Sequence, residues 1–402
     1  MNRRGLLDAI VVGAGAAGGA MALALAREGL DVAIIEARPP RPWQPDGEMD
    51  LRVVALAPDA RALLAELGAW PSIARRVGPY RHMRVWDAIA PGELHFDAAE
   101  RGEASLGWIV ENVLIQHALF MALEGAAVGA GSVVVHCPAR IATLDNGEDA
   151  VRVELDDGTH LAARLLVAAD GADSAVRRQL GIDVDGHDYA QRGVVAHVAT
   201  GRPHQGTAWQ RFLPGGPLAF LPLGDGRCSI VWSLPEAEAE RVLALDDAAF
   251  RAELGAALDF RLGEVTAATP RAAFPLRLRL AERYLEGRCV LAGDAAHGVH
   301  PLAGQGMNLG LRDVMCLRRV LADARRRGSD IGARHVLRRY ERERRSEATL
   351  AARAFDLIER GFAPSFVPLA AARGAALAAA GAIAPIRHAL AAAAAGRRAG
   401  PP

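Results

Sequence analysis

Short, unbroken apolar runs alternate with stretches of helical period at the start of the chain. Ala9-Ile10-Val11-Val12 is one run and Val32-Ala33-Ile34-Ile35 the next, and Gly29 is placed to stop the segment between them. Apolar, partly β-branched runs of this length read as strands buried on both faces, the habit of a parallel sheet. They predict a strand–helix–strand unit whose helix ends near Glu28. From residue 133 the pattern changes to short strands punctuated by Asn146-Gly147 and Asp157-Gly158, which predict hairpin turns. The last of these strands, 165–169, ends in Asp170-Gly171, and Ser174 and Arg177 start a helix after it. Residues 191–199, 207–212, 218–223 and 227–232 predict an antiparallel sheet, with Gly224-Asp225-Gly226 turning between the last two. Strand 288–292 ends in Gly293-Asp294. Beyond it, Leu311, Val314, Leu317 and Leu321 mark the apolar face of a helix opened by Gly304 to Asn308.

With 42 glycines in 402 residues, a GxGxxG pattern arises by chance, so its setting decides what it means. Gly13, Gly15 and Gly18 follow the first strand at once, and Glu36 ends the second, 36 − 18 = 18 residues after the last glycine. That is the spacing of a dinucleotide fingerprint. One glycine makes the tight turn, one lets the backbone approach a pyrophosphate, one packs helix on strand, and the acid accepts from a ribose. Ala16 and Ala17 begin the helix whose free N–H groups face the phosphates, and Ala37 adjoins the acid. These residues predict an adenine-dinucleotide site, with NAD and FAD both open. Asp170 and Asp294 each stand beside a glycine at a strand end, a placement suited to a ribose or polyol; Asp170 would equally cap the helix after it. The glycine-rich helix start at Gly304, Gln305, Gly306, Met307 and Asn308 would offer N–H groups to an anion, or to a ring that becomes negative on reduction.

The chain is long enough for two domains, and 51% apolar with 23% charged residues is ordinary for a globular protein. Its 47 basic residues balance 47 acidic ones, so no field recommends nucleic acid as a partner. MNRRGLLDAI passes straight into a strand without the features of a secretory signal, and no apolar run reaches the ~20 residues of a spanning helix. Cys137, Cys228, Cys289 and Cys316 are scattered, as reduced thiols of a cytoplasmic protein would be. His297 and His300 have HxxH spacing but no third ligand of suitable type nearby, so no metal is expected.

Taken together, GxGxxG…E, DGxxSxxR (170–177) and GDAAHxxxPxxGQGxNxGxxD (293–313) resemble the single-component, FAD-dependent aromatic hydroxylases. Within them the chain is most similar to the ubiquinone-biosynthesis hydroxylases, through DLRVVALAPDARALLAELGAW, LGWIVENVLIQHAL, YAQRGVVAHV and HQGTAWQRFLPGGPLAFLPLGDGRCSIVW in the expected order, over roughly residues 8 to 345. The resemblance implies an α/β fold: a Rossmann-like FAD-binding domain of the para-hydroxybenzoate-hydroxylase type, an antiparallel-sheet substrate domain and C-terminal helices. It implies a discontinuous FAD domain (1–75, 100–185, 285–345), a substrate domain (76–99, 186–284) and a helical segment (346–402). It further implies that Gly13, Gly15, Gly18 and Glu36 hold the ADP half of FAD, that Arg52 lies near the ribityl-phosphate linker and that Asn112 lies against the cofactor. Asp170 would stand near FAD, Asp294 would bond the ribityl chain, Pro301 would place its carbonyl beside the isoalloxazine, and Gly304 to Asn308 would line its pyrimidine edge. The chemistry implied is reduction of FAD by NAD(P)H, reaction with O2 and oxygen transfer from a C4a-hydroperoxide to the ring of a polyprenylated phenol. A small soluble phenolic acid is the alternative substrate, and a non-catalytic flavoprotein scaffold the alternative role. His197, Trp209, Arg211, Phe220 and His300 are the residues expected to line the substrate cavity, with no acid or base assigned. The apolar cluster from Phe355 to Leu369 reads either as a cap on the FAD domain or as a surface meeting a biosynthetic complex or the inner face of the membrane.

Overall fold

The computed structural model describes residues 5–89, 91–124, 131–298 and 305–362, with backbone alone for Gln305 and 355–362. Its first sheet runs Leu285–Glu286, Cys289–Leu291, His160–Ala168, Leu6–Val12, Asp31–Ile35, Ser132–His136. Leu6–Val12 is parallel to both its neighbours. The hairpin arms Val151–Leu155 and Ile141–Asn146 extend the sheet from His160–Ala168. Alternation along the first strand serves two cores. Ala9 and Val11 pack under the helices Ala16–Arg27, Asn112–Glu124 and Gln305–Arg326, whereas Ile10 and Val12 face a smaller cluster with Val176, Tyr284 and Leu291. Both sides are therefore covered, as a parallel sheet requires.

The second sheet runs His297–Gly298, Ala272–Ala281, Val184–Thr200, Cys228–Pro235, Gly216–Pro222, Thr207–Leu213, His82–Asp87, Glu93–Asp97. One face buries Phe220, Ile230 and Val194 against Phe250 and Leu254 of the Asp247–Ala257 helix. The other face looks towards the first sheet. The two-residue strand His297–Gly298, which follows directly on the Gly293 turn, pairs with Ala272–Ala281 and so ties the two sheets together. A third sheet of Val53–Leu56, Gly107–Glu111 and Gly78–Tyr80 fills the junction. At the C-terminal side one helix, Arg334–Phe362, runs unbroken through residue 346, where the resemblance implied a boundary. Among the described residues no helix is long and apolar enough to cross a membrane.

Candidate functional site

A cavity of about 780 Å³ opens between the carboxyl end of the first strand and the inner face of the second sheet. Its size suits a cofactor or a small ligand. The glycine loop forms one end. Gly13 turns at φ +97°, and a Cβ there would lie 2.4 Å from the Ala169 carbonyl oxygen. A Cβ on Gly18 would lie 1.8 Å from the Gly13 oxygen, so helix and strand meet there at backbone contact. Gly15 has no atom within 4 Å of its Cβ position and opens onto the cavity. The Ala16–Arg27 helix has no side-chain cap, which leaves its first amides for an anionic group. Glu36 accepts from the Ala14 amide at 2.6 Å and the Arg38 amide at 3.0 Å, fixing its carboxylate at the tip of the second strand. Gly15, Ala16, Ala17, Glu36 and Ala37 all line the cavity.

Arg52, Asn112, Asp170, Asp294, Gly306 and Met307 line its middle, from five separate segments. The Asn112 amide donates to the Arg52 carbonyl at 2.9 Å, so these two positions are set together. Oδ1 of Asn112 is buried without a partner. Asp170 takes the capping role its position allowed and keeps one oxygen over. Oδ2 accepts from the Ala175 and Val176 amides at 2.8 and 3.2 Å, while Oδ1 is buried and unpartnered. Arg177, the last residue of that motif, donates to the Ala295 carbonyl at 2.9 Å and so joins it to the Gly293–Asp294 turn 118 residues away. Asp294 opens into the cavity but is ringed by protein. Burial pushes its carboxyl pKa up, against the pull of His297 and Arg52. Two orphaned oxygens, a cappable helix start and an open glycine make a cradle that fits a dinucleotide.

Behind this surface lies a buried carboxylate. Asp313 Oδ2 accepts from the Gly293 amide at 2.8 Å and meets His297 Nε2 at 2.7 Å, while Oδ1 takes Arg344 Nε at 2.6 Å. Burial alone would raise the pKa of Asp313, but His297 and Arg344 outweigh it and hold it below the ordinary value. Burial alone would lower that of His297, and Asp313 more than reverses this. Arg344 comes from the long C-terminal helix, so that helix is tied to the Gly293 turn. Asp313 is the final residue of the third motif and Arg344 lies in the YERERR stretch, yet neither carries a local signal for this role. Arg38, Gln116, Tyr80 and Gln210 also line the cavity unforeseen; only Gln116, one turn beyond Asn112, had a helical spacing that could have pointed to it.

Several expectations need correction. Asn308 does not line the cavity: its side chain accepts from the Ala57 amide at 2.9 Å and donates to the Ala55 carbonyl at 2.8 Å, pinning the helix to the Val53–Leu56 strand. Phe220 faces the outer helices, because alternation turns Ala219 and Leu221 inward instead. Arg211 lies on the same outer side and donates to the Ala256 and Ala257 carbonyls at a helix end. His197 shares the inner face of its strand with Val195 but does not line the cavity: it is buried, its Nε2–H donates to the Asp50 carbonyl at 3.1 Å, and burial lowers its pKa, which favours the neutral ring. Trp209 does reach the cavity. Pro301, Gly304 and His300 lie outside the described residues, and only the backbone of Gln305 is described, as the first residue of its helix.

The family model described as FAD binding domain matches residues 7–354. The chain is 38% identical over 360 residues to the 3-demethoxyubiquinol 3-hydroxylase of Escherichia coli, covering 89% of this chain and 90% of that protein. It is also 38% identical over 366 residues to the ubiquinone hydroxylase UbiL of Rhodospirillum rubrum, covering 91% and 84%. In fold it is similar to the crystal structure of the p-nitrophenol 4-monooxygenase PnpA from Pseudomonas putida, with a TM-score of 0.74 at 20% identity over 98% and 99% of the two chains.

Proposed function

Because the chain belongs to the FAD binding domain family, as an FAD-dependent aromatic hydroxylase, we propose that it hydroxylates the ring of a polyprenylated phenol in ubiquinone biosynthesis. The co-substrates of this reading are NAD(P)H and O2. Bound FAD, reduced by NAD(P)H, supplies an activated oxygen atom derived from O2. The chain supplies position and surroundings. The glycine loop and Glu36 would hold the ADP half, with Arg52 and Asn112 in the middle and Asp294 on the ribityl chain. The start of the Gln305–Arg326 helix would place its positive end against the ring as charge accumulates there. The second sheet would cover that ring and exclude water, which would otherwise divert the reducing equivalents into peroxide.

One observation carries the choice of substrate. Among the described residues, the charged ones lining the cavity belong to its glycine-loop end and middle, among them Glu36, Arg38, Arg52, Arg140, Asp170 and Asp294. The sheet wall is built from Val195, Ala208, Trp209, Gln210, Ala219, Leu221, Val231, Ser233 and Phe274 and, among the described residues, has no charge. A small phenolic acid needs a cation for its carboxylate. Arg211 is committed to carbonyls on the far side and Arg192 does not line the cavity. An uncharged wall instead suits a neutral ring with a hydrocarbon tail. A peripheral position at a membrane is part of this reading, supported by exposed arginines along the C-terminal helix at 334, 338, 342, 345 and 353.

The test uses protein reconstituted with FAD, following NAD(P)H consumption and product mass with a short-chain polyprenylphenol and, in parallel, 4-hydroxybenzoate. Gain of one oxygen on the prenylated phenol is expected. Hydroxylation of the small acid alone, or of neither, overturns the proposal.

A further inference from the structure

Resting on that reading, the geometry points to Gln210 as the residue that recognises the substrate's ring hydroxyl. Gln210 is 8% exposed and lies on the cavity side of the Thr207–Leu213 strand. Directly across the sheet it faces Ala219, which faces Val231, which faces Val195. All three line the cavity, so they form an apolar trough. At ~4.8 Å per strand the trough is about 14 Å long, with Gln210 at one end. Among the described residues the Gln210 carboxamide makes no hydrogen bond, and its polar atoms are not sealed off from the cavity. A carboxamide held in an apolar wall is unfavourable unless something bonds it, and an amide can both accept from a phenolic O–H and donate to its oxygen.

The other polar groups on this wall are less well placed. The Tyr80 hydroxyl is packed over Gly107, 2.6 Å from where a Cβ there would sit. Ser233 is short and lies against Gly216. Among the described residues of this wall, Gln210 alone combines reach, both hydrogen-bonding senses and a position at the end of the apolar floor. Holding the hydroxyl there fixes which edge of the ring is turned from the sheet towards the flavin, so Gln210 acts as a specificity determinant rather than as an acid or base.

The experiment measures the affinity of FAD-loaded protein for a short-chain prenylphenol and for the prenylbenzene that lacks only the hydroxyl, through the absorbance change of the bound flavin. The unaltered protein is expected to bind the phenol about tenfold more tightly, since a site built to bond a hydroxyl discriminates against its absence. Gln210→Leu should erase that preference while leaving prenylbenzene affinity, FAD affinity and Tm unchanged. Product formed per NAD(P)H consumed should fall as well, because a ring free to rotate presents the wrong carbon. Gln210→Met repeats the test if the leucine variant does not fold. A preference that survives in the folded variant, or its absence from the unaltered protein, overturns the inference alone. Failure of the unaltered protein to bind either compound overturns the proposed substrate class and the inference with it.

Discussion

Asp313 does not line the cavity, yet its carboxylate holds Gly293, His297 and Arg344 at once. Asp313→Asn would take one of two carboxylates from the buried Arg344 guanidinium, which keeps Glu347, a loss of about 3 kcal/mol, the lower end for a broken buried pair. The expected outcome is a lower Tm for the FAD-free protein together with FAD affinity weakened at least tenfold, because the turn carrying Asp294 loses its anchor. An unchanged Tm would contradict it. The pair also fixes a pH signature. His297 has a raised pKa, so its contribution is present below the ordinary 6.5 and is lost as pH rises through the raised value. Asp313 has a lowered one, so its contribution is present above 3.8 and lost as pH falls through the lowered value. Stability against pH should show the alkaline loss in the unaltered protein and not in Asp313→Asn. The motif over 293–313 held Gly293, His297 and Asp313 without saying that they bond one another, and Arg344, 31 residues beyond Asp313, lies outside it. The same scale explains Phe220 and Arg211. Period-two alternation told which strand residues share a face, but helices outside the sheet decide which face is core, and that contact is not written in the strand.

The glycine loop was legible at the level of the element, because the fingerprint is a local constraint on one turn. Its glycines are not equivalent, and they can be told apart. Gly15→Ala places a methyl group into open cavity at ordinary helix-start torsions (φ −61°). FAD-free Tm should stay within the change of a surface substitution, about 0.5 kcal/mol, while FAD affinity falls at least tenfold by fluorescence titration. Gly18→Ala drives a methyl group into the Gly13 carbonyl and should lower FAD-free stability by about 3 kcal/mol or more. Equal effects of the two on Tm would refute the assignment of separate roles. The C-terminal helix was legible only in part. The resemblance implied a boundary at 346, but the buried positions Val336, Leu337, Tyr340, Arg344, Ala348 and Ala352 keep helical spacing straight across it.

For the molecule as a whole, formal charge is balanced, yet exposed arginines at 334, 338, 342, 345 and 353 spread over about 29 Å of one helix. Global neutrality, which argued against a nucleic-acid field, hid this local one. Flotation with anionic vesicles at low salt should carry the protein up, zwitterionic vesicles should not, and raising salt should release it. Each Arg→Gln change on this face should weaken the association roughly fivefold, the ~1 kcal/mol of one basic residue near an anionic surface. Equal recovery from both kinds of vesicle would remove the peripheral position from the proposal. The order of strands in the first sheet bears on how the protein comes into being. Leu6–Val12 lies beside His160–Ala168, which lies beside Cys289–Leu291. The outer partner leaves the ribosome 289 − 6 = 283 residues after the first strand begins. Gly293, Asp294 and the helix that completes the cradle come later still. The glycine loop, made first, therefore waits through most of synthesis for the surfaces that give it a ligand, and loading of the flavin belongs to the finished chain rather than to the growing one.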